Sequence, residues 1–518
     1  MCSGAFGLEA WFSQGRVPAY CSIHPELEAG VQCDICAKLK HAIPVHKSYH
    51  CTTKCFVQHW RVHKEMHDKA ASAGRNSATE NSNGMFRGNT YSNGGETWLE
   101  VGRSRCYTPC ADDVGLVLRY ECSIVDTHTG RAETTSLGSI TTSRVRPAPN
   151  PPTRRMIPIS FPDMKLSHSG GRFTMLSYNL LADLYASAEL FDHCPSWALA
   201  WSYRKQNLLR ELLSYKADIM CLQEVQSDHY EHFLAPELQR AGYTPIFKKK
   251  TTEVFTNNSY AIDGCATFFR RDKFSLVKKY EVEFNKAALS LVETLQNPAQ
   301  KKAALSRLLK DNVALIAVLE ATEASRQLIC VANTHIHSNP ELNDVKLWQV
   351  HTLLKGLEKI AASADIPMLV AGDFNSTPGS AAHHLLVNHV VEKNHPDLMN
   401  DPFGINKPHE KLVHDLSLAS AYSAFADAAD TSDEVEKQRQ QLDPNYFEPK
   451  FSNTTREENL TLDYILYTMN ALVPVSLLEL PSEAELEQHA PGCRLPCPDF
   501  SSDHIALMAE FQYRRHGA

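Results

Sequence analysis

No stretch of this 518-residue sequence stays apolar for the roughly 18 residues that a bilayer-spanning helix needs, so no transmembrane segment is expected. The opening, MCSGAFGLEAWFSQGR, lacks a basic leader and places Glu9 inside its apolar part, so it does not read as a secretory signal. There is no internal repeat period, and in particular no leucine-rich array. A basic surplus is missing too, because the formal net charge is −8. Non-specific nucleic-acid binders carry a basic surface, since phosphate contacts dominate that kind of affinity. The acidic balance does not exclude RNA, but it implies a weak, salt-sensitive grip, help from a partner, or cations held by acidic residues. No basic cluster is long enough to read as an import signal. Cytoplasmic residence is therefore expected, with the nucleus left open.

What is present belongs to a multidomain protein. The length exceeds what one core supports, and the 43% apolar and 22% charged shares are ordinary for a globular chain. Of fifteen cysteines, five fall between Cys21 and Cys55 among histidines, a metal-ligand pattern. The others scatter singly, some inside apolar runs, as at Cys221 and Cys330. A reducing compartment is expected.

Composition divides the chain into four regions. Residues 17–70 are rich in Cys and His, and 71–96 are Ser, Asn and Gly, which reads as a flexible linker. Residues 97–160 form a small β-rich region ending in a Pro-rich boundary. From 171 to 515 the pattern is α/β. Runs such as FTMLSYN, DIMCLQE, GCATFF, NVALIAVL, QLICVAN and IPMLVAGDFN read as buried strands. Leu347, Val350, Leu354 and Leu357 form one stripe of an amphipathic helix. Runs at 285–310 and 432–442 read as solvated helices or loops.

Four strings within this last region carry chemistry: SYN, LQE, GDFN and SDH. Phosphodiester cleavage needs a cation to neutralise developing charge, a positioned water and a proton relay. Magnesium takes one or two carboxylates and fills the rest with water and substrate oxygens. Glu224, ending DIMCLQE, is the first expected metal ligand. Asn179, ending FTMLSYN, is placed to hold a water or phosphate oxygen. Asp373 and Asn375 are two apart, so a strand end points both to one face. The first would orient water and the second would donate to phosphate. Asp503 and His504 precede the run IALMAEF, with Asp463 the natural carboxylate to fix the imidazole tautomer. His335, ending LICVANTH, adds a second imidazole. Each string alone is commonplace, because Asp and Asn also form turns. Their joint occurrence in this order is not.

SYNLLAD, CPSWALAWSYRKQNLL, DIMCLQEVQSDHY, AIDGCATFFRRDKF, VEFNKAAL, DVKLWQVHTLL and SSDHIAL resemble the carbon catabolite repressor 4 deadenylases of the endonuclease/exonuclease/phosphatase superfamily. The resemblance covers nearly all of 171–515 and is strongest to the plant-type members. It implies a DNase-I-like four-layer sandwich, two packed sheets flanked by helices. It also implies a magnesium-dependent 3′-to-5′ exoribonuclease that removes poly(A) from messenger RNA and releases AMP. Asn179, Glu224, His335, Asp373, Asn375, Asp463, Asp503 and His504 would be its catalytic or metal residues, with two magnesium ions held by Glu224, Asn179 and Asp503. Pro340 would lie against the terminal adenine, opposite an aromatic five residues before Asp463. That position is Glu458, which cannot stack on a base, so weaker adenine preference is expected unless a nearby aromatic substitutes.

Near the N-terminus, Cys21-x2-His24, Cys33-x2-Cys36, Cys51-x3-Cys55 and His63-x3-His67 form four ligand pairs suited to two structural zinc ions. His50 and His59 are left as non-ligands, and Cys106, Cys110, Cys493 and Cys497 read as ordinary thiols. The series resembles a MYND-type finger. Such cross-brace fingers pair the first set with the third and the second with the fourth, and bind short Pro-rich peptides. By the same analogy the finger would dock the companion deadenylase subunit of the Not-scaffold complex. Two competing readings remain: a phosphatase or phosphodiesterase acting on a small molecule, and a catalytically weak scaffold acting through its finger.

Overall fold

The computed structural model describes residues 9–14, 21–24, 27, 31–32, 49–73, 90–93, 96–125, 132–146, 148–149, 151–161 and 171–514, apart from the short stretches 257–258, 294–296, 323–325, 364–365 and 455–457. The chain divides into two compact units, Met1–Ala148 and Pro149–Ala518. Among the described residues no helix is long and apolar enough to cross a membrane.

The first unit differs from its composition-based division. Its antiparallel sheet runs Thr90–Asn93, Glu96–Gly102, Glu9–Gln14, Val117–Val125, Ala132–Arg144. The central strand thus comes from ahead of the Cys/His segment, and the partners on either side of it come from behind. Phe12, Trp98 and Leu118 are buried in this unit, and the Arg119 guanidinium lies 4.3 Å from the Trp98 ring centroid. The stretch 71–96 is not uniformly linker: helix Thr53–Ala73 enters it, and Thr90–Asn93 is a strand. Six residues, EAWFSQ, are too few to announce a strand without their partners in view.

The second unit is two packed mixed sheets. We number its main strands β1 Arg172–Asn179, β2 Ile219–Gln226, β3 Tyr243–Lys249, β4 Asp263–Arg270, β5 Phe274–Glu283, β6 Val313–Ala321, β7 Leu328–His335, β8 Met368–Asp373, β9 Asp463–Thr468, β10 Leu472–Leu478 and β11 Leu507–Tyr513. The first sheet is ordered β3-β4-β2-β1-β11-β10 with an edge strand at Met156–Pro158, and the second β5-β6-β7-β8-β9 with one at Leu418–Ser420. Each contains one parallel pair, β1 with β2 and β7 with β8.

Side-chain alternation explains the layering. In β7, Ile329 and Val331 enter the core between the sheets, while Cys330 and Ala332 face the helices outside. In β2, Ile219 and Cys221 point inward, and Met220 and Leu222 meet Leu208 and Leu212 of helix Trp201–Tyr215. Strands buried on both faces read as continuous apolar runs, which is why they are conspicuous in the sequence. Helix Asn343–Ser363 covers the second sheet through Leu347, Val350, Leu354 and Leu357. The 285–310 region is not a solvated surface. Helices Phe284–Glu293 and Pro298–Leu308 bury Phe284, Ala288, Val292, Ala304 and Leu308 in the same outer core, a stripe masked by its small residues.

Candidate active site

The parallel pairs bring the functional strand ends together. Asn179 lies beside Gln223 across β1 and β2, and His335 beside Asp373 across β7 and β8. In the second pair Gly372 is indispensable: a Cβ there would lie 1.9 Å from the Thr334 carbonyl oxygen, and its φ is +146°. Glu224 sits in a β-bulge between Leu222 and Val225 with φ of 53°, a left-handed conformation that re-aims its carboxylate. Asn375, at φ 47°, is held similarly.

These ends line a cleft of about 770 Å³ that includes Glu224, His335, Asp373, Asn375, Asp503 and His504, with Pro340 and Glu458. Asn179 Nδ2 donates to Glu224 Oε1 at 3.1 Å and to Asp373 Oδ2 at 3.0 Å. Its oxygen accepts from the Leu181 amide. Asn179 therefore spaces the two carboxylates here. The Ala182 amide caps Glu224 Oε2 at 2.9 Å. Asp463 Oδ2 lies 2.7 Å from His504 Nδ1 and also accepts from Ser452 Oγ at 2.7 Å. Asp373 Oδ2 is 3.7 Å from His504 Nε2 and 3.6 Å from His335 Nε2. Asn375 donates its side-chain amide to the Ile336 carbonyl at 2.9 Å, so one N–H remains for a phosphate oxygen. Ser502 Oγ bonds the Asn179 carbonyl at 2.6 Å, joining the SDH loop to β1.

The electrostatics follow from burial and crowding. Burial, then the Asp463 charge, lifts the Asp373 carboxyl to about 7. Glu224 is raised by burial and by the charges of Asp503 and Asp263, against the opposing pull of Lys250. Burial alone would lower the His504 imidazole, but Asp463 and Asp503 outweigh it and hold the ring well above its ordinary value. His335 has no such support, so burial and the charge of Lys250 push it well below. Asp463 Oδ1 and Asp503 Oδ1 are buried without a hydrogen-bond partner. Ligand atoms of Asp373, Asp463 and His504 lie within 4.8 Å of one another. Converging carboxylates with orphaned oxygens suit a hard divalent cation.

Sequence reasoning missed several supports. Lys346 is buried, donates to the Asn375 carbonyl oxygen at 2.6 Å and lines the cleft; burial lowers it to about 8. Its signal was a lysine set among the buried positions of an apolar helix. Arg204 is fully buried and donates to the carbonyls of Leu181 and Ser501 at 2.8 and 3.1 Å, tying the loop that caps Glu224 to the loop before Asp503. Asn333 Oδ1 accepts from Gln223 at 2.8 Å, and its amide donates to the Ala266 carbonyl at 2.9 Å, linking the two sheets behind the site. Tyr446, an aromatic, lines the cleft.

In the first unit, His24 Nδ1 lies 3.6, 3.5 and 3.6 Å from the sulfurs of Cys21, Cys51 and Cys55, and the Cys21 and Cys55 sulfurs are 3.7 Å apart. A tetrahedron with Zn–S bonds of about 2.3 Å has edges near 3.7 Å, so this set fits such an ion. The expected second set is visible in half: the rings of His63 and His67 are 4.8 Å apart and buried, while Cys33 and Cys36 lie outside the described residues. His59 Nδ1 is 3.0 Å from the Cys55 carbonyl oxygen, the place of a non-ligand. Among the described residues, neither Cys106 and Cys110 nor Cys493 and Cys497 join a ligand group.

The family model described as Endonuclease/Exonuclease/phosphatase family matches residues 176–504. Carbon catabolite repressor protein 4 homolog 1 of Arabidopsis thaliana is 52% identical, over 98% of this chain and 91% of its own. The CCR4-Not complex 3′-5′-exoribonuclease subunit Ccr4 of Mycosarcoma maydis is 34% identical over 71% of this chain and 56% of its own. Among solved structures, ANGEL2, a 2′,3′-cyclic phosphatase in complex with adenosine-2′,3′-vanadate, is 28% identical with a TM-score of 0.53, covering 70% of this chain and 99% of that one. Strand ends that meet in one acidic cleft, together with these likenesses, place the chain in the endonuclease/exonuclease/phosphatase family, among the carbon catabolite repressor 4 proteins.

Proposed function

We propose that the chain is a magnesium-dependent 3′-to-5′ exoribonuclease that shortens poly(A) tails and releases AMP. The observation that carries this is the gathering of Glu224, Asp373 and His504, from separate strand ends and loops, around one cleft, with Asp463 bonded to His504 behind it. Glu224, Asn179 and Asp503 would hold magnesium, with Asp463 set behind His504. Bound there, magnesium would neutralise charge developing on the phosphate.

The chain's own groups would do the rest. Asp373, raised toward neutrality, accepts the proton of the attacking water as its oxygen bonds to phosphorus. The bond from phosphorus to the upstream 3′ oxygen breaks, that oxygen takes up a proton from solvent to become a hydroxyl, and AMP leaves with the phosphate. His504, kept cationic by Asp463, donates to a phosphate oxygen, while neutral His335 and the free N–H of Asn375 bind others. Pro340 offers one face to the terminal base. Glu458 stands where relatives would be expected to stack an aromatic, and Tyr446 is the aromatic this cleft supplies instead.

The decisive test is Glu224→Ala on an RNA with a defined adenosine tail. AMP release in magnesium is expected to fall at least about 10³-fold while the circular dichroism spectrum is kept. Undiminished release would end the assignment. A small-molecule phosphatase, the reading favoured by the likeness to ANGEL2, would yield inorganic phosphate and no AMP. We further propose that the Cys/His segment is a zinc finger that docks a companion deadenylase subunit of the Not-scaffold complex; the Mycosarcoma maydis relative is named as a subunit of the CCR4-Not complex. Residence in the cytoplasm, with some in the nucleus, accords with that role.

A further inference from the structure

Beyond Lys249 the chain forms a hairpin, Val254–Thr256 paired with Ser259–Ala261, before β4 begins at Asp263. Its place is set by register. Lys249 pairs with Gly264, and Gly264 with Val225, so the hairpin leaves the first sheet at the level of Glu224. The Ser227 amide bonds the Ile262 carbonyl at 2.8 Å and ties the hairpin base to the end of β2.

Phe255 and Tyr260 are paired directly across the hairpin, with ring centroids 5.1 Å apart. They are 61% and 71% exposed, although aromatic side chains ordinarily supply core area. The hairpin base is anchored near Glu224, whose charge feels both Lys250 and Asp263. Lys250 Nζ lies 2.9 Å from Asp263 Oδ2 and 3.3 Å from the Tyr185 hydroxyl, on the chain that continues from the Glu224 cap. On its other side, Thr251 bonds the Asp311 carbonyl at 3.2 Å, next to Lys310. Lys310, Lys346 and Lys250 all lie near enough to His337 to oppose its protonation. Three lysines thus gather around His337, of which Lys346 lines the cleft and Lys310 neighbours the Asp311 carbonyl that holds Thr251.

We propose that Phe255 and Tyr260 form a stacking platform for single-stranded RNA, holding bases upstream of the scissile phosphate while Lys310 and Lys346 face the backbone. This rests on the exoribonuclease reading above. Stacking suits this protein because every base presents a π-face and the interaction needs no basic surface. The register that sets the hairpin at the level of Glu224, with Lys310 beside its base, favours RNA over a protein partner as the occupant.

Two readouts test the platform. In a Glu224→Ala background, Phe255→Ser with Tyr260→Ser is expected to raise the Kd for a fluorescein-labelled 20-nucleotide oligoadenylate about tenfold or more, by anisotropy. In the active enzyme the same pair should raise KM for that RNA similarly, leaving kcat, and kcat/KM for diadenylate, within about twofold. The pair Phe255→Tyr with Tyr260→Phe keeps both rings and should behave as wild type. An unchanged Kd would overturn the platform and leave the hairpin to a protein partner, and equal losses on diadenylate would also overturn it. Failure of the wild type to release AMP would instead overturn the nuclease reading, because the Kd comparison stands without turnover.

Discussion

Cys21, His24, Cys51 and Cys55 come from the stretch 21–55, whereas Asn179, Glu224, His335, Asp373, Asp463 and His504 come from strand ends and loops spread from position 179 to position 504. The first four, and Asp373, Asp463 and His504 of the second group, are spaced for a metal ion, but the two groups relate to folding in opposite ways. Soft thiolate and imidazole ligands on a short segment with little core gain their order from the ion. The carboxylates of the cleft are instead carried by packed sheets, with hydrogen bonds from Asn179, Ala182 and Ser452 fixing their positions. The first group would be made by its metal, and the second would only be completed by one.

Three experiments would break or sharpen that contrast, in descending order of effect. Asp463→Asn removes the strongest upward pull on His504, and kcat is expected to fall about 10²- to 10⁴-fold. The pH dependence gives the sign. The native His504 ring is raised above its ordinary value of 6.5, so the ion pair's stabilisation is complete below that value and lost as pH rises through the raised one. In the variant the alkaline limb of kcat should move to lower pH. A limb that stays in place would remove His504 from the proton inventory.

Cys51→Ser addresses the other cluster. Zinc measured by native mass spectrometry should drop from two ions per chain to one, and co-purification with the companion subunit should be lost. AMP release from a short oligoadenylate should stay within about twofold of wild type, since the cleft is built entirely in the second unit. A matching loss of nuclease activity would show that the two clusters are not independent.

The smallest effect concerns base selection. Glu458→Phe is expected to raise the ratio of poly(A) to poly(U) degradation about fivefold, and Tyr446→Leu to lower it. Identical ratios in wild type and both variants would mean that neither position touches the base.

Much of this was legible in the chain. The buried strands declared themselves because residues on both faces must be apolar, and the Cys/His pairs because their spacing is local. The strands β3, β5, β9 and β10 escaped notice. In β5, Phe274 is buried but most of the positions after it are exposed or half-buried, so no apolar run marks it. The strand Glu9–Gln14 was invisible for a different reason, since its partners lie beyond the Cys/His segment. Lys346 and Arg204 were hidden in helices whose stripe made them look like ordinary polar interruptions.

The sequence by itself determined which residue types stand at the strand ends, the period that gives each strand two faces, and the local ligand pairs near the N-terminus. Only the tertiary structure decided that Asn179 would turn its nitrogen to two carboxylates, that Gly372 would let β7 and β8 close until His335 met Asp373, and that Glu458 would share its cleft with Tyr446. Spacing along a chain sets local geometry. Contacts between distant strands depend on register and sheet order, which are settled only when the two apolar faces pack together.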